Sequence, residues 1–126
     1  MGKVIPITER SKDFSLRVIK AFGWLKKQNE ECSIIGKQLL RSATSIGANI
    51  WEAESGQSKK DRISKLEISR KECMETQYWI RLLIESNLVD KNRFQPLLDE
   101  SIEIGKILTA SVKTLKNSLW VIGYRL

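Results

Sequence analysis

A chain of 126 residues with 41% hydrophobic and 29% charged side chains holds enough apolar material for one core, and is too short for two ordinary domains. It carries 22 Lys and Arg against 15 Asp and Glu, a formal charge of +7, and no histidine. The missing imidazole excludes Ser-His and Cys-His nucleophile activation and the Glu-x-x-His di-iron site of helical bundles, while the surplus charge favours polyanionic partners, because each neutralised phosphate releases counterions.

Taken in chain order, the residues repeat at helical spacing throughout, and strand alternation occurs nowhere. The opening stretch has no apolar run of the roughly 7 to 15 residues a signal peptide needs, and no segment approaches the roughly 18 of a membrane span. A cytoplasmic protein without membrane contact is expected. Phe14, Val18, Ala21, Phe22 and Leu25 predict a first helix over about residues 11–28, with Thr8 or Ser11 as its cap and polar Lys27 to Ser33 as the connection. Ile35, Leu39, Ala43, Ile46, Ile50 and Ala53 predict a second helix over about residues 34–55, ending at Gly56, where glycine can supply a left-handed stop.

Ser58-Lys59-Lys60-Asp61 has the form of a capping box and opens a third helix over about residues 59–86. Its expected seam is Ile63, Leu66, Arg70, Cys73, Gln77, Ile80 and Ile84, in steps of three and four. Asn87 to Asn92 reads as a turn, and Pro96 suits the first turn of a fourth helix over about residues 93–117. Phe94, Leu97, Leu98, Ser101, Gly105, Leu108, Val112 and Leu115 form its stripe, with Lys113 and Lys116 placed favourably against the helix dipole. Four amphipathic helices joined by short turns predict an all-α, antiparallel up-down-up-down four-helix bundle. The tail from Leu119 to Leu126 is too apolar to stay in water and should pack on its own bundle or on a neighbour. Cys32 and Cys73 are too few and too isolated for a disulfide framework or a zinc knuckle, and are expected as free thiols.

Between Tyr78 and Ile84 only Arg81 interrupts a run of apolar residues, so that helix segment is greasy nearly all round. Such a segment must be covered on every side, which points to self-assembly. Trp51, Trp79, Leu82 and Trp120 are the expected subunit contacts. Arg41, Ser45, Asn49 and Glu52, with Glu75 of the next helix, make a polar seam within the bundle or between subunits, the alternative being a ligand site.

The chain has no Gly-rich phosphate loop, no G-x-G-x-x-G and no Ser-x-x-Lys, and neither an enzyme nor a cofactor is expected. Glu52, Glu72 and Glu75 are the best carboxylates for a magnesium ion, but pairing with Arg41, Arg70 or lysines is the favoured reading, and no metal site is expected. From Gly56 to Lys71 six cations face only Asp61 and Glu67, contributing +4 of the +7. Lys59, Lys60, Arg62, Lys65 and Lys71 are the candidates for phosphate contact, the alternative being a solvated basic face. Aromatic residues of the kind that stack single-stranded bases are missing from this segment, so contacts to the backbone with little sequence readout are expected.

The run from Leu39 to Ser86, LLRSATSIGANIWEAESGQSKKDRISKLEISRKECMETQYWIRLLIES, resembles the bacterial four-helix-bundle family named for proteins encoded in 23S rRNA intervening sequences. That family includes the accessory variability determinant of diversity-generating retroelements. The most specific residues are Arg41-Ser42-Ala43, Ser45 to Ile50, Glu52-Ala53 and Gln57 to Lys60, followed by Ile63 and Leu66. Many members carry proline where this chain has Gly47, and alanine where it has Trp51. The resemblance implies a homopentameric barrel of four-helix bundles, a basic surface and no catalysis. For the retroelement relatives it implies binding to a reverse transcriptase and to nucleic acid. The combined expectation is an oligomeric, non-enzymatic protein that binds nucleic acid, RNA in the first place, through its backbone. The alternative is an oligomeric scaffold that docks a partner enzyme such as a reverse transcriptase, or a ribosomal component, through the same basic face.

Overall fold

The computed structural model describes the backbone of residues 4–121 and the side chains of residues 4–118. Its elements are four helices: α1 (Ile7–Leu25), α2 (Glu30–Glu54), α3 (Lys59–Glu85) and α4 (Lys91–Val121). Trp120 and the residues of the tail beyond it fall outside the described side chains.

Each helix starts where a local group meets its free amides. Pro6, with φ −56°, precedes α1 and its carbonyl accepts the Arg10 amide at 2.9 Å. Thr8 and Ser11 therefore lie inside α1, and Ser11 is buried with its hydroxyl on the Thr8 carbonyl. Asn29 caps α2 by accepting the Cys32 amide at 2.8 Å, and Glu30 and Glu31 follow in the first turn, where the dipole favours carboxylates. The polar stretch read as a connection is thus partly the start of α2, and the turn shrinks to residues 26–29. Ser58 caps α3 as expected, accepting the Asp61 amide at 3.1 Å. The Asp90 carboxylate accepts the Asn92 amide and starts α4 two residues early, which puts Pro96 in the second turn instead of the first. Pro96 is exposed, so the carbonyl it leaves unpaired can be hydrated.

The left-handed stop falls at Asn87, φ 62°, after α3, and not at Gly56. Gly56 is needed for space: a Cβ there would lie 2.7 Å from Cγ of Arg62.

The helices run antiparallel in sequence, each packed on its chain neighbours, with α4 returning to α1 and the diagonal pairs apart. Gly36 lies against Phe22 and Leu25 and Gly47 against Ser11 and Ser15, which fixes α1 on α2. Ser69 donates to the Ile46 carbonyl at 2.8 Å and Thr76 to the Ser42 hydroxyl at 2.9 Å, which fixes α2 on α3. Cys73 donates to the Ser101 carbonyl and fixes α3 on α4. The core runs along the middle, from Phe14, Val18 and Leu25 through Leu39, Ile46 and Ile50 to Ile80, Leu83, Ile104 and Leu108.

The buried seam of α3 is Leu66, Ser69, Cys73, Thr76, Ile80 and Leu83. Arg70, Gln77 and Ile84 of the expected seam are only half-buried, one step around the helix. Small polar residues replace them because α2 comes close enough to accept their hydroxyl bonds. The α1–α4 side is the most open, since the 19 residues of α1 cannot cover the 31 of α4. Among the described residues no helix is long and apolar enough to cross a membrane.

Candidate nucleic-acid interface

The cations near the second turn do not form one open patch. Lys59 is half-buried and its ammonium donates to the Ser118 hydroxyl at 2.6 Å, tying the start of α3 to the end of α4. Lys65 pairs with Glu52 at 2.9 Å across α2 and α3. Arg62 is half-buried against Gly56 and lines a recess with Glu54 at the end of the bundle. Of the five candidates only Lys60 and Lys71, three turns apart on the outer side of α3, stand exposed.

A second group of cations comes from α4. Antiparallel packing brings the C-terminal half of α4 beside the first half of α3, so Lys106, Lys113 and Lys116 lie next to Arg70. Between the helices is a groove of about 420 Å³, lined by Arg70, Lys106 and Lys113 with Met74, Gln77 and Thr109 among its other walls, and among the described residues no acid lines it. The nearest carboxylate, Glu67, is shared: it meets Arg70 at 2.9 Å and Lys116 at 3.9 Å. Among the described residues Nε of Arg70 is buried without a hydrogen-bond partner. An unsatisfied donor on a cation beside two lysines is unusual, because a lost partner leaves the desolvation of that atom uncompensated. An anion seated in the groove would supply what is missing. The sequence reading placed Lys113 and Lys116 against the helix dipole only. Their spacing, with Lys106 one heptad before Lys113, was legible, but their place beside Arg70 depends on the packing of α4.

The polar seam is paired within the protomer. Arg41 binds Glu75 and, at 3.4 Å, Glu72, and Glu75 also accepts the Trp79 indole N–H at 2.9 Å. Asn49 donates to the carbonyl and hydroxyl of Ser45 one turn earlier. Among the described residues no three His, Cys, Asp or Glu side chains are placed to share a metal ion.

The apolar run in α3 is mostly absorbed by its own chain. Ile80 and Leu83 are in the core, and Trp79 and Ile84 lean on it. Leu82 is half-buried and Tyr78 is exposed, edge-on to Trp79 at 5.1 Å. The chain alone therefore covers more of this segment than its composition suggests. Larger exposed apolar groups lie elsewhere: Trp51 is 63% and Met74 67% exposed, and Leu16, Ile19 and Ile34 add to them.

The family model described as "23S rRNA-intervening sequence protein" matches residues 3–110. A crystal structure from Bacteroides thetaiotaomicron VPI-5482, described as a protein with unknown function from the S23 ribosomal protein family, is 39% identical and superposes with a TM-score of 0.81, covering 86% of this chain and 99% of that one. No curated protein matches. Matching over most of its length a model for the same family that the Leu39–Ser86 run resembles, the chain belongs to the 23S rRNA-intervening sequence protein family.

Proposed function

We propose that this protein is a non-enzymatic, oligomeric, cytoplasmic nucleic-acid-binding protein that grips phosphate backbone, of RNA in the first place, with the α3–α4 face. The observation that carries this reading is the acid-free groove of Arg70, Lys106 and Lys113 with its unpartnered Arg70 Nε, flanked outward by Lys60 and Lys71. Cations on both members of an antiparallel helix pair form a track with little to read a base sequence. The family description points to ribosomal RNA operons, and the +7 charge supplies the long-range attraction. The supporting argument for assembly is the exposed Trp51 on the outer side of α2, a residue seldom left in water alone.

The test is a salt titration of RNA binding by the intact protein. Replacing Lys60, Lys71 and Lys113 together with Glu should reduce the slope of log K against log salt by about 2 to 3 and weaken binding to all RNA sequences alike. An unchanged slope rejects the face. Absence of RNA binding by the parent protein at moderate salt rejects the reading and leaves the docking of a partner enzyme as the role of this surface.

A further inference from the structure

A second cluster of cations, unrelated to the α3–α4 face, converges in the open cleft between α1 and α4. Arg17, Lys20 and Trp24 share one side of α1 at i, i+3 and i+7, and Arg93 of α4 reaches across to them. The guanidinium of Arg93 lies over the Trp24 ring, 5.0 Å from its centroid. Behind it Phe94 is buried, tilted at 47° to Trp24 with centroids 6.1 Å apart. These groups wall a recess of about 280 Å³ that, among the described residues, no carboxylate lines. Among the described residues none of the three cations forms an ion pair, although charged neighbours such as Arg10 and Lys12 do. Asp13 lies one turn from Arg17, in the adjoining recess, and stays more than ion-pair distance from it.

Three uncompensated charges repel one another, and here they surround an aromatic platform. A ligand that relieves the repulsion must be anionic, and one that uses the platform must be flat. The recess is smaller than the roughly 300–1,000 Å³ that engulfs a whole small molecule, so it suits one ring system laid against a wall. A guanidinium already held over an indole offers its outer side as the next layer, as Arg planes do for unstacked bases.

We propose that this recess holds one nucleotide, its base stacked on Arg93 over Trp24 and its phosphate between Arg17 and Lys20. This rests on the nucleic-acid reading above and sharpens it: the α3–α4 face takes backbone of any form, whereas the α1–α4 recess selects a single strand with an unpaired base. The same chemistry fits a free mononucleotide, and the experiment separates the two.

Binding of short oligothymidylate is compared with that of an equally long strand of abasic tetrahydrofuran residues, which carries the same phosphates. The intact protein should prefer the base-bearing strand about tenfold, the scale of one stacked base. The Lys20→Ser/Arg93→Gln variant, changed only at exposed positions, should lose that preference while its affinity for duplex stays the same. Equal affinity of the intact protein for both strands overturns the proposal, as does a variant that keeps the preference. If neither strand nor duplex binds, the nucleic-acid reading fails, and AMP titration followed at the Trp24 indole N–H decides the recess by itself. A saturable shift lost in the variant establishes a mononucleotide site; no shift overturns it.

Discussion

The Cys73 thiol is buried between α3 and α4, donating to the Ser101 carbonyl, and burial pushes it up to about 11 from an ordinary 9.0. Burial also raises Cys32. A thiol held neutral is a poor nucleophile, so neither should react with iodoacetamide in the native protein near pH 8, and both should react once it is unfolded. The raised folded value also fixes a sign. Below about pH 9 both folded and unfolded forms keep the proton and its contribution is whole. Between about 9 and about 11 the unfolded chain ionises first and stability falls, by on the order of 2 kcal/mol. Urea unfolding of the parent and of Cys73→Ala across that range checks it, since the variant should lose that part of the decline. Gly23 gives a different residue-scale expectation. It lies in the last turns of α1, and a Cβ there would meet nothing within 4 Å. Gly23→Ala should therefore stabilise the protein by about 0.5 kcal/mol, through the unfolded chain's entropy and helix propensity, as a higher urea midpoint.

At the scale of elements, the four helices and their neighbours were legible because apolar spacing of 3.6 residues survives in every one of them. The helix starts that shifted did so for capping reasons. Asn29 and Asp90 are caps hidden in polar stretches that read as connections, and Pro6 begins α1 without a side-chain cap. The α3 seam moved by one step because Ser69 and Thr76 count as polar in a sequence pattern, yet they satisfy themselves on α2. Among site residues, Lys60 and Lys71 stand exposed as read, whereas the pairing of Lys65 with Glu52 and the approach of Lys106 and Lys113 depend on which helices adjoin. On the open side, the Arg10 guanidinium donates two bonds of 2.8 Å to Glu100, both side chains partly buried. A bidentate pair of this kind exceeds an ordinary surface bridge, so Glu100→Gln should cost about 1 kcal/mol, read from the urea midpoint. Lys12→Ala, which breaks an exposed pair with Glu9, should cost much less.

For the molecule as a whole, the two cation clusters and Trp51 occupy separate parts of the surface. Cations from α3 and α4 collect along one face, those of Arg17, Lys20 and Arg93 along another, and Trp51 projects from α2. If Trp51 is the centre of a contact between copies, light scattering of the parent should give a mass several times 14.5 kDa, and Trp51→Glu should lower it toward that value without loss of helix.

The uneven closure of the ring has a further consequence for how the molecule comes apart. α1 is the shortest helix, packed more closely on α2 than on α4, where its contacts include the Arg10–Glu100 fork and those of Trp24 with Arg93 and Phe94. Under mild stress it is the piece expected to open first, which would let solvent reach the shared core. A ligand gripping both rims of that gap would act as a clasp, and its departure would loosen the whole.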